Sequence, residues 1–193
     1  MVSEGELWAA SLGSALGGGI LAVTGEEILR WWRRPQLRLH YADDASCVAR
    51  TPFKSDSGSG EAIYLRLRVN NVGRSIARDC APFMTRLERR DANGHIENIL
   101  EQDSVALVWS LRSVDVMDIP RGINQFIDVC FAMQGAESLG LASPSYPLRM
   151  KSVWSKPGRF RADIVVTCAG TPPVSRTIGF KWNGAWDSLL HDS

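Results

Sequence analysis

The chain has 193 residues, 45% of them hydrophobic and 22% charged. That length suits one domain with a modest appendage, and the composition excludes wholesale disorder. A formal net charge of +1 excludes a surface that is basic all over, and four cysteines in so long a chain exclude a disulfide scaffold.

The first element is an apolar run. Leu7 to Gly25 is nineteen residues without a charge, and a helix crossing a hydrocarbon core needs roughly 20. Trp8 stands near one end and Trp31 and Trp32 follow the other, as interfacial aromatics do. Arg30, Arg33 and Arg34 come after the run and no Lys or Arg comes before it, which orients the chain with its body in the cytoplasm at the inner membrane. These arginines would meet anionic headgroups at about 1 kcal/mol each. Glu26 and Glu27 fall before the tryptophan pair and must then lie in the headgroup layer. Gly13 and Gly17 form a G-x-x-x-G step that allows close helix packing and self-association, although small residues cover nearly every face. A cleaved signal peptide is disfavoured because Glu4 and Glu6 occupy the region where positive charge belongs. A buried soluble helix is disfavoured because the run has no polar face. Residues 1–35 are therefore expected to form a transmembrane helix with a basic juxtamembrane segment, and residues 36–193 a separate domain.

Past Pro35 the pattern alternates. Leu37, Leu39 and Tyr41 share one face of a first strand, and a polar stretch ending in Ser55–Gly60 suggests an exposed loop. Ile63, Leu65, Leu67 and Val69 alternate with Tyr64, Arg66, Arg68 and Asn70, the clearest half-buried strand in the chain. Asn71–Arg74 is a turn. Cys80–Leu87 follows, with Pro82 indicating an edge or a bulge, and Asp91–Gly94 supplies a hairpin turn. Val105–Trp109 and Val114–Ile119 are short apolar runs. Phe126–Met133 is apolar on both faces except for Asp128, and Gln134–Ser145 has the composition of a loop. Pro157-Gly158 opens a strand with Phe160, Ala162, Ile164 and Val166 on one side and Arg159, Arg161 and Asp163 on the other; Thr177–Trp182 is the last. Seven to nine short strands without an intervening helix predict a mainly β domain, an antiparallel β-sandwich.

The segment Tyr64–Ala77, a strand followed by Asn70-Asn71, Gly73 and Ala77, resembles the immunoglobulin-like modules of the cell-adhesion-related (CARDB-like) type, and Pro157–Ile164 resembles the Pro-Gly-aromatic strand late in such sandwiches. With the apolar run in front, the layout is similar to that of prokaryotic single-span membrane proteins. The resemblance implies an immunoglobulin-like sandwich and no reaction. Such modules are commonly extracytoplasmic, which conflicts with the orientation from charge; the charge-based orientation is retained because it rests on residues present here.

Chemistry is sparse in the pattern. His40, His95 and His191 fall on a polar strand face, in a turn and in the tail. No nucleophile elbow, zinc-helix or phosphate-loop motif occurs, and the acid pairs Asp43-Asp44, Glu101 with Asp103, and Asp115 with Asp118 lack the form of a cation loop. No catalytic residue, metal or cofactor is therefore expected. Asp128, flanked by Ile127 and Val129, is either buried and hydrogen-bonded or solvent-facing on an edge. Arg66 and Arg68 share one strand face and Arg159 and Arg161 another, and would make a basic patch were those strands neighbours. The expected function is a membrane-tethered binding or scaffolding module whose partners are the lipid bilayer and a protein, not nucleic acid, with partner contacts on Asp43–Gly60 and Gln134–Ser145. An exported adhesion-type sandwich is the alternative. An enzyme built from scattered groups such as Asp128, Arg66 and His40 is the less favoured one.

Overall fold

Residues that alternate in polarity become the strands of two antiparallel sheets in the computed structural model, which describes residues 32–55, 58–100, 103–110, 114–145, 150 and 154–192. The chain divides into a unit of Met1–Arg34 and a unit of Pro35–Ser193. The expected span, with Trp8, Gly13, Gly17, Arg30 and Trp31, lies outside the described residues. Among the described residues no helix is long and apolar enough to cross a membrane. Trp32, the first described residue, has 53% of its surface exposed, and Arg33 and Arg34 are exposed after it.

The strands are β1 (Leu37–His40), β2 (Val48–Ser55), β3 (Gly58–Asn71), β4 (Ala77–Arg90) and β5 (Ile96–Leu100). Next come β6 (Val105–Ala106), β7 (Val108–Trp109), β8 (Met117–Ile119), β9 (Asn124–Met133) and β10 (Leu139–Leu141). The last are β11 (Gly158–Cys168), β12 (Thr171–Trp182) and β13 (Leu190–His191). In one sheet, β2 and β1 pair successive halves of β3, β9 pairs its other side, and β10 and β7 pair successive parts of β9. In the other, the order is β13-β12-β11-β4, with β5, β6 and β8 following one another along β4. The architecture is mainly β, consistent with a β-sandwich. Among the described residues thirteen strand segments appear where seven to nine strands were expected, because pieces in tandem replace single edge strands.

The apolar faces share one core. Leu65, Leu67, Met84, Leu87, Trp109, Ile127, Ile164 and Phe180 are fully buried within it. Phe160 and Phe180 stack across β11 and β12 with ring centroids 5.0 Å apart, and Trp154 stacks on Phe160 at 5.6 Å. Burial of each such side chain contributes about 1.5–3 kcal/mol relative to exposure.

Three local expectations are corrected. Val48–Ser55, within the expected loop Asp43–Gly60, is a strand; its polar residues and Pro52 suit the sheet border it occupies. Gln134–Ser145 contains β10, whose middle residue Gly140 lies under the Phe131 ring. A Cβ at Gly140 would meet that ring at 2.3 Å. Pro82 lies neither in an outer strand of the sheet nor at a register shift: β4 pairs β11 at Pro82 on one side, and β6 begins at the next residue on the other. Its carbonyl accepts Leu107 N–H at 2.9 Å, so its nitrogen faces the same side, where the gap between β6 and β8 leaves no ladder acceptor waiting.

Asn71 explains the resemblance motif physically. Its side chain is buried, and Oδ1 accepts the N–H groups of Gln36 (3.3 Å) and Gly73 (3.1 Å). Nδ2 donates to the carbonyls of Ser75 (2.8 Å) and Ile119 (2.9 Å), and the Asn71 carbonyl accepts Gly122 N–H at 2.8 Å. One amide therefore ties the start of the body, the 72–76 loop and the 120–122 turn together. Asn71→Ala strands several of these groups and is expected to cost about 2–3 kcal/mol in urea unfolding. Asn71→Asp should cost at least as much, since it removes both donors and buries a charge.

Candidate functional site: an arginine-lined groove

The strongest candidate lies on sheet β4-β11-β12. The Pro157-Gly158 start of β11 fixes its register, because a Cβ on Gly158 would come within 2.7 Å of the Arg90 carbonyl oxygen. Arg89 packs against Gly158 and donates from Nη1 to the Pro157 carbonyl at 2.9 Å. From that anchor, Arg159 pairs across to Arg90, Arg161 to Glu88 and Asp163 to Arg86. The result is an open groove of about 910 Å³ whose lining includes Arg86, Arg90, Arg159, Arg161 and Arg176. Only two carboxylates, Glu88 and Asp192, are in that lining.

The acids hold part of this charge. Arg86 pairs with Glu88, and Arg159 Nε lies 3.9 Å from Asp192. Arg90, Arg161 and Arg176 have no ion pair among the described residues and are exposed. At the groove's far side Tyr41 donates its hydroxyl to the Gly179 carbonyl at 2.7 Å, and its ring packs at a tilt against His191 with centroids 4.4 Å apart; burial pushes its phenol far above the ordinary value. Beside the groove Arg89 holds the Glu97 carboxyl below the usual range through Nε (3.2 Å) and Nη2 (2.8 Å). Chemically, unpaired guanidinium groups at strand spacing can grip carboxylate or phosphate oxygens two at a time.

The sequence expectations map onto this site only in part. Arg159 and Arg161 are in it. Arg66 and Arg68 are not, because β3 and β11 belong to different sheets. Arg86, Arg90 and Arg176 were not singled out from the pattern; the spacing of Arg86 and Arg90 around Glu88 was the available signal. Of the scattered polar groups, the structure brings Arg66 and Asp128 together at 2.8 Å, with the Ser110 hydroxyl donating to the same carboxylate oxygen and the Arg66 guanidinium 5.2 Å from the Tyr64 ring centroid. His40 stays apart, exposed, 3.9 Å from Asp44. Among the described residues no group of three or more His, Cys, Asp or Glu side chains is placed to hold a metal ion.

The cysteines hold one surprise. All four are thiols, with Cys47, Cys80 and Cys130 buried. Cys80 and Cys168, 88 residues apart, bring their sulfurs to 2.7 Å across β4 and β11. Sharing a proton with its neighbour holds the half-buried Cys168 thiol below the ordinary value, and the same contact with burial drives Cys80 up.

No family model matches the chain, and no curated protein matches it. Among solved structures, the one described as "X-ray structure of Northeast Structural Genomics Consortium target SoR45" is similar at 13% identity over 83% of this chain and 91% of that chain, with a TM-score of 0.33.

Proposed function

We propose that the protein is a membrane-tethered binding module without catalytic activity, an immunoglobulin-like sandwich held on the cytoplasmic side by a span at Leu7–Gly25. The arginine groove carries the binding part of this reading. Arg90, Arg161 and Arg176 suit the carboxylates of an acidic protein segment. A protein is favoured over nucleic acid because Glu88 and Asp192 interrupt the groove and would repel a continuous phosphate chain. The immunoglobulin-like description is supported by strand neighbours: β1, β3, β9 and β7 follow the A-B-E-D order, and β12, β11, β4 and β5 follow G-F-C with an added edge strand.

Full-length protein mixed with phosphatidylcholine vesicles is expected to float with the lipid and to retain a fluorescent oligoglutamate peptide. The double charge reversal R161E/R176E should weaken that peptide about tenfold or more, and rising salt should weaken wild-type binding. Protein left in the aqueous fraction would overturn the tether. Equal peptide affinity in both proteins would overturn the groove.

A second reading, an exported body, is favoured by the Cys80–Cys168 pair, since closely placed thiols oxidise outside the cytoplasm.

A further inference from the structure

We infer that the arginine groove ends in a phosphate site, the row Arg90–Arg159–Lys181, and that the acidic segment bound there carries a phosphorylated side chain. The inference rests on the acidic-segment reading and names the group that the segment presents. The row follows from register. Arg159 stands directly opposite Arg90 on one side and Lys181 on the other, so three cations lie abreast on β4, β11 and β12. Residues opposite one another in antiparallel strands have Cα atoms about 4.5–5.5 Å apart and point their side chains to one face. All three are exposed. The next two charged rows on the same face are balanced: Arg161 stands opposite Glu88, and Asp163 opposite Arg86. On this face the unbalanced positive charge therefore gathers at one level of the sheet.

Like charges set directly opposite one another destabilise a sheet, and the molecule offsets little of that here. Asp192 is the one carboxylate paired with the row among the described residues, 3.9 Å from Arg159 Nε. It arrives where the tail crosses β12 at Gly179, whose Cβ, were there one, would come within 2.6 Å of the Asp192 carbonyl oxygen. The other acids nearby in the chain are engaged elsewhere. Glu97 is taken by Arg89 at 2.8 Å and Lys156 at 3.8 Å, and Asp91 Oδ1 accepts the N–H groups of Asn93 and His95 at 2.9 Å each. Arg90 and Lys181 have no ion pair among the described residues. A phosphorylated side chain brings about −1.5 to −2 charges and three acceptor oxygens on one atom, which matches three converging cations better than a single glutamate does. A nucleic-acid backbone is disfavoured because its charge repeats, and the rows beyond this one would meet it with Glu88 and Asp163.

The test uses full-length protein and two fluorescent peptides, oligoglutamate with one central phosphoserine and oligoglutamate with glutamate in that place. Wild type should bind the phosphopeptide about tenfold more tightly, and R159Q/K181Q should prefer it by less than about twofold. A second readout needs no peptide. Neutralising Lys181 relieves the row, so K181Q should unfold at a higher temperature than wild type in dilute buffer, and the gap should close in about 1 M salt. An equal or lower midpoint in dilute buffer removes the repulsion that carries the inference. Equal binding of both peptides by wild type overturns the phosphate site and leaves the acidic-segment reading standing. A preference that survives in R159Q/K181Q places the phosphate elsewhere and overturns the row. Soluble inositol trisphosphate or a single-stranded oligonucleotide that displaces the label at lower concentration than unlabelled phosphopeptide assigns the row to a lipid headgroup or to nucleic acid, and overturns the phosphopeptide. Failure of both peptides to bind removes the acidic-segment reading, and the inference falls with it.

Discussion

Asp128→Ala should destabilise the folded body by about 3–5 kcal/mol, the usual cost of leaving one member of a buried ion pair alone. Both side chains are largely shielded, at 15% exposure for Arg66 and 12% for Asp128, and the Ser110 hydroxyl shares the same carboxylate oxygen. Removing the carboxylate leaves a covered guanidinium beside the Tyr64 ring without its counter-charge. Asp128→Asn keeps the shape and an acceptor for Ser110 and should lie between the two. The apolar double replacement R66M/D128L should recover most of the loss, because neither charge then has to be desolvated. Urea unfolding followed by tryptophan fluorescence measures all three. A cost for Asp128→Ala below about 0.5 kcal/mol would show that water reaches the pair.

A disulfide between Cys80 and Cys168 is expected to form with an oxidised small-molecule disulfide such as oxidised glutathione and to stabilise the body by about 4–5 kcal/mol in the chain-entropy account of a long closed loop. The two thiols give up two protons and two electrons, and the oxidant leaves as two thiols. Cys168 is the attacking sulfur, being the more accessible and the more acidic of the two. Since its value is lowered, its thiolate is already present on the acid side of the ordinary thiol value, about 8.5. The oxidation rate should therefore level off at lower pH than a free thiol's. Non-reducing electrophoresis with peptide mapping identifies the bond, and Cys168→Ser abolishes both the bond and the added stability. In cells, the state of this pair separates the two placements of the body: a dithiol fits the cytoplasm and a disulfide fits export. Exclusive formation of any other bridge would contradict the geometry.

The outline of the fold was legible where burial alternates with exposure. From Ile63 to Asn71 in β3 and from Phe160 to Val166 in β11 every second residue is buried, as the spacing of Ile63, Leu65, Leu67 and Val69 and of Phe160, Ala162, Ile164 and Val166 implies. Legibility failed at the borders. Val48–Ser55 reads Val-Ala-Arg-Thr-Pro-Phe-Lys-Ser, which carries no alternating apolar stripe, and Leu139-Gly140-Leu141 is too short and too small to register. Pro82 misled because a missing donor is tolerated wherever no acceptor faces it, and the gap between two short neighbouring strands provides that as well as a sheet edge does. Asp128 was undecided between two environments. The register shift between Leu65 and Arg66 settles it by setting Asp128 opposite Arg66 while Val129 is left unpartnered and buried.

The groove was the least legible feature. Five arginines scattered over a long stretch of chain form one site only after β4, β11 and β12 are placed side by side. A single strand's pattern says which way a side chain points and is silent about which strand lies next to it. For the same reason the pattern leaves open whether Arg66 and Arg68 neighbour Arg159 and Arg161, which the structure places in two different sheets. Asn71 shows the opposite case: a residue that looks like an ordinary turn former is the joint of a whole end of the molecule.

The broken borders of the sheets have a consequence for crowding. Three of the four margins consist of separate pieces set end to end: four-residue β1 with eight-residue β2, β7 with β10, and β5 with β6 and β8. On the remaining margin, β12 opens with Pro172-Pro173, which offer no amide hydrogen, and finishes under β13. A neighbouring copy arriving sideways finds no long uninterrupted row of donors and acceptors to extend. Sideways pairing of one copy with another is thereby limited to single stretches of a margin.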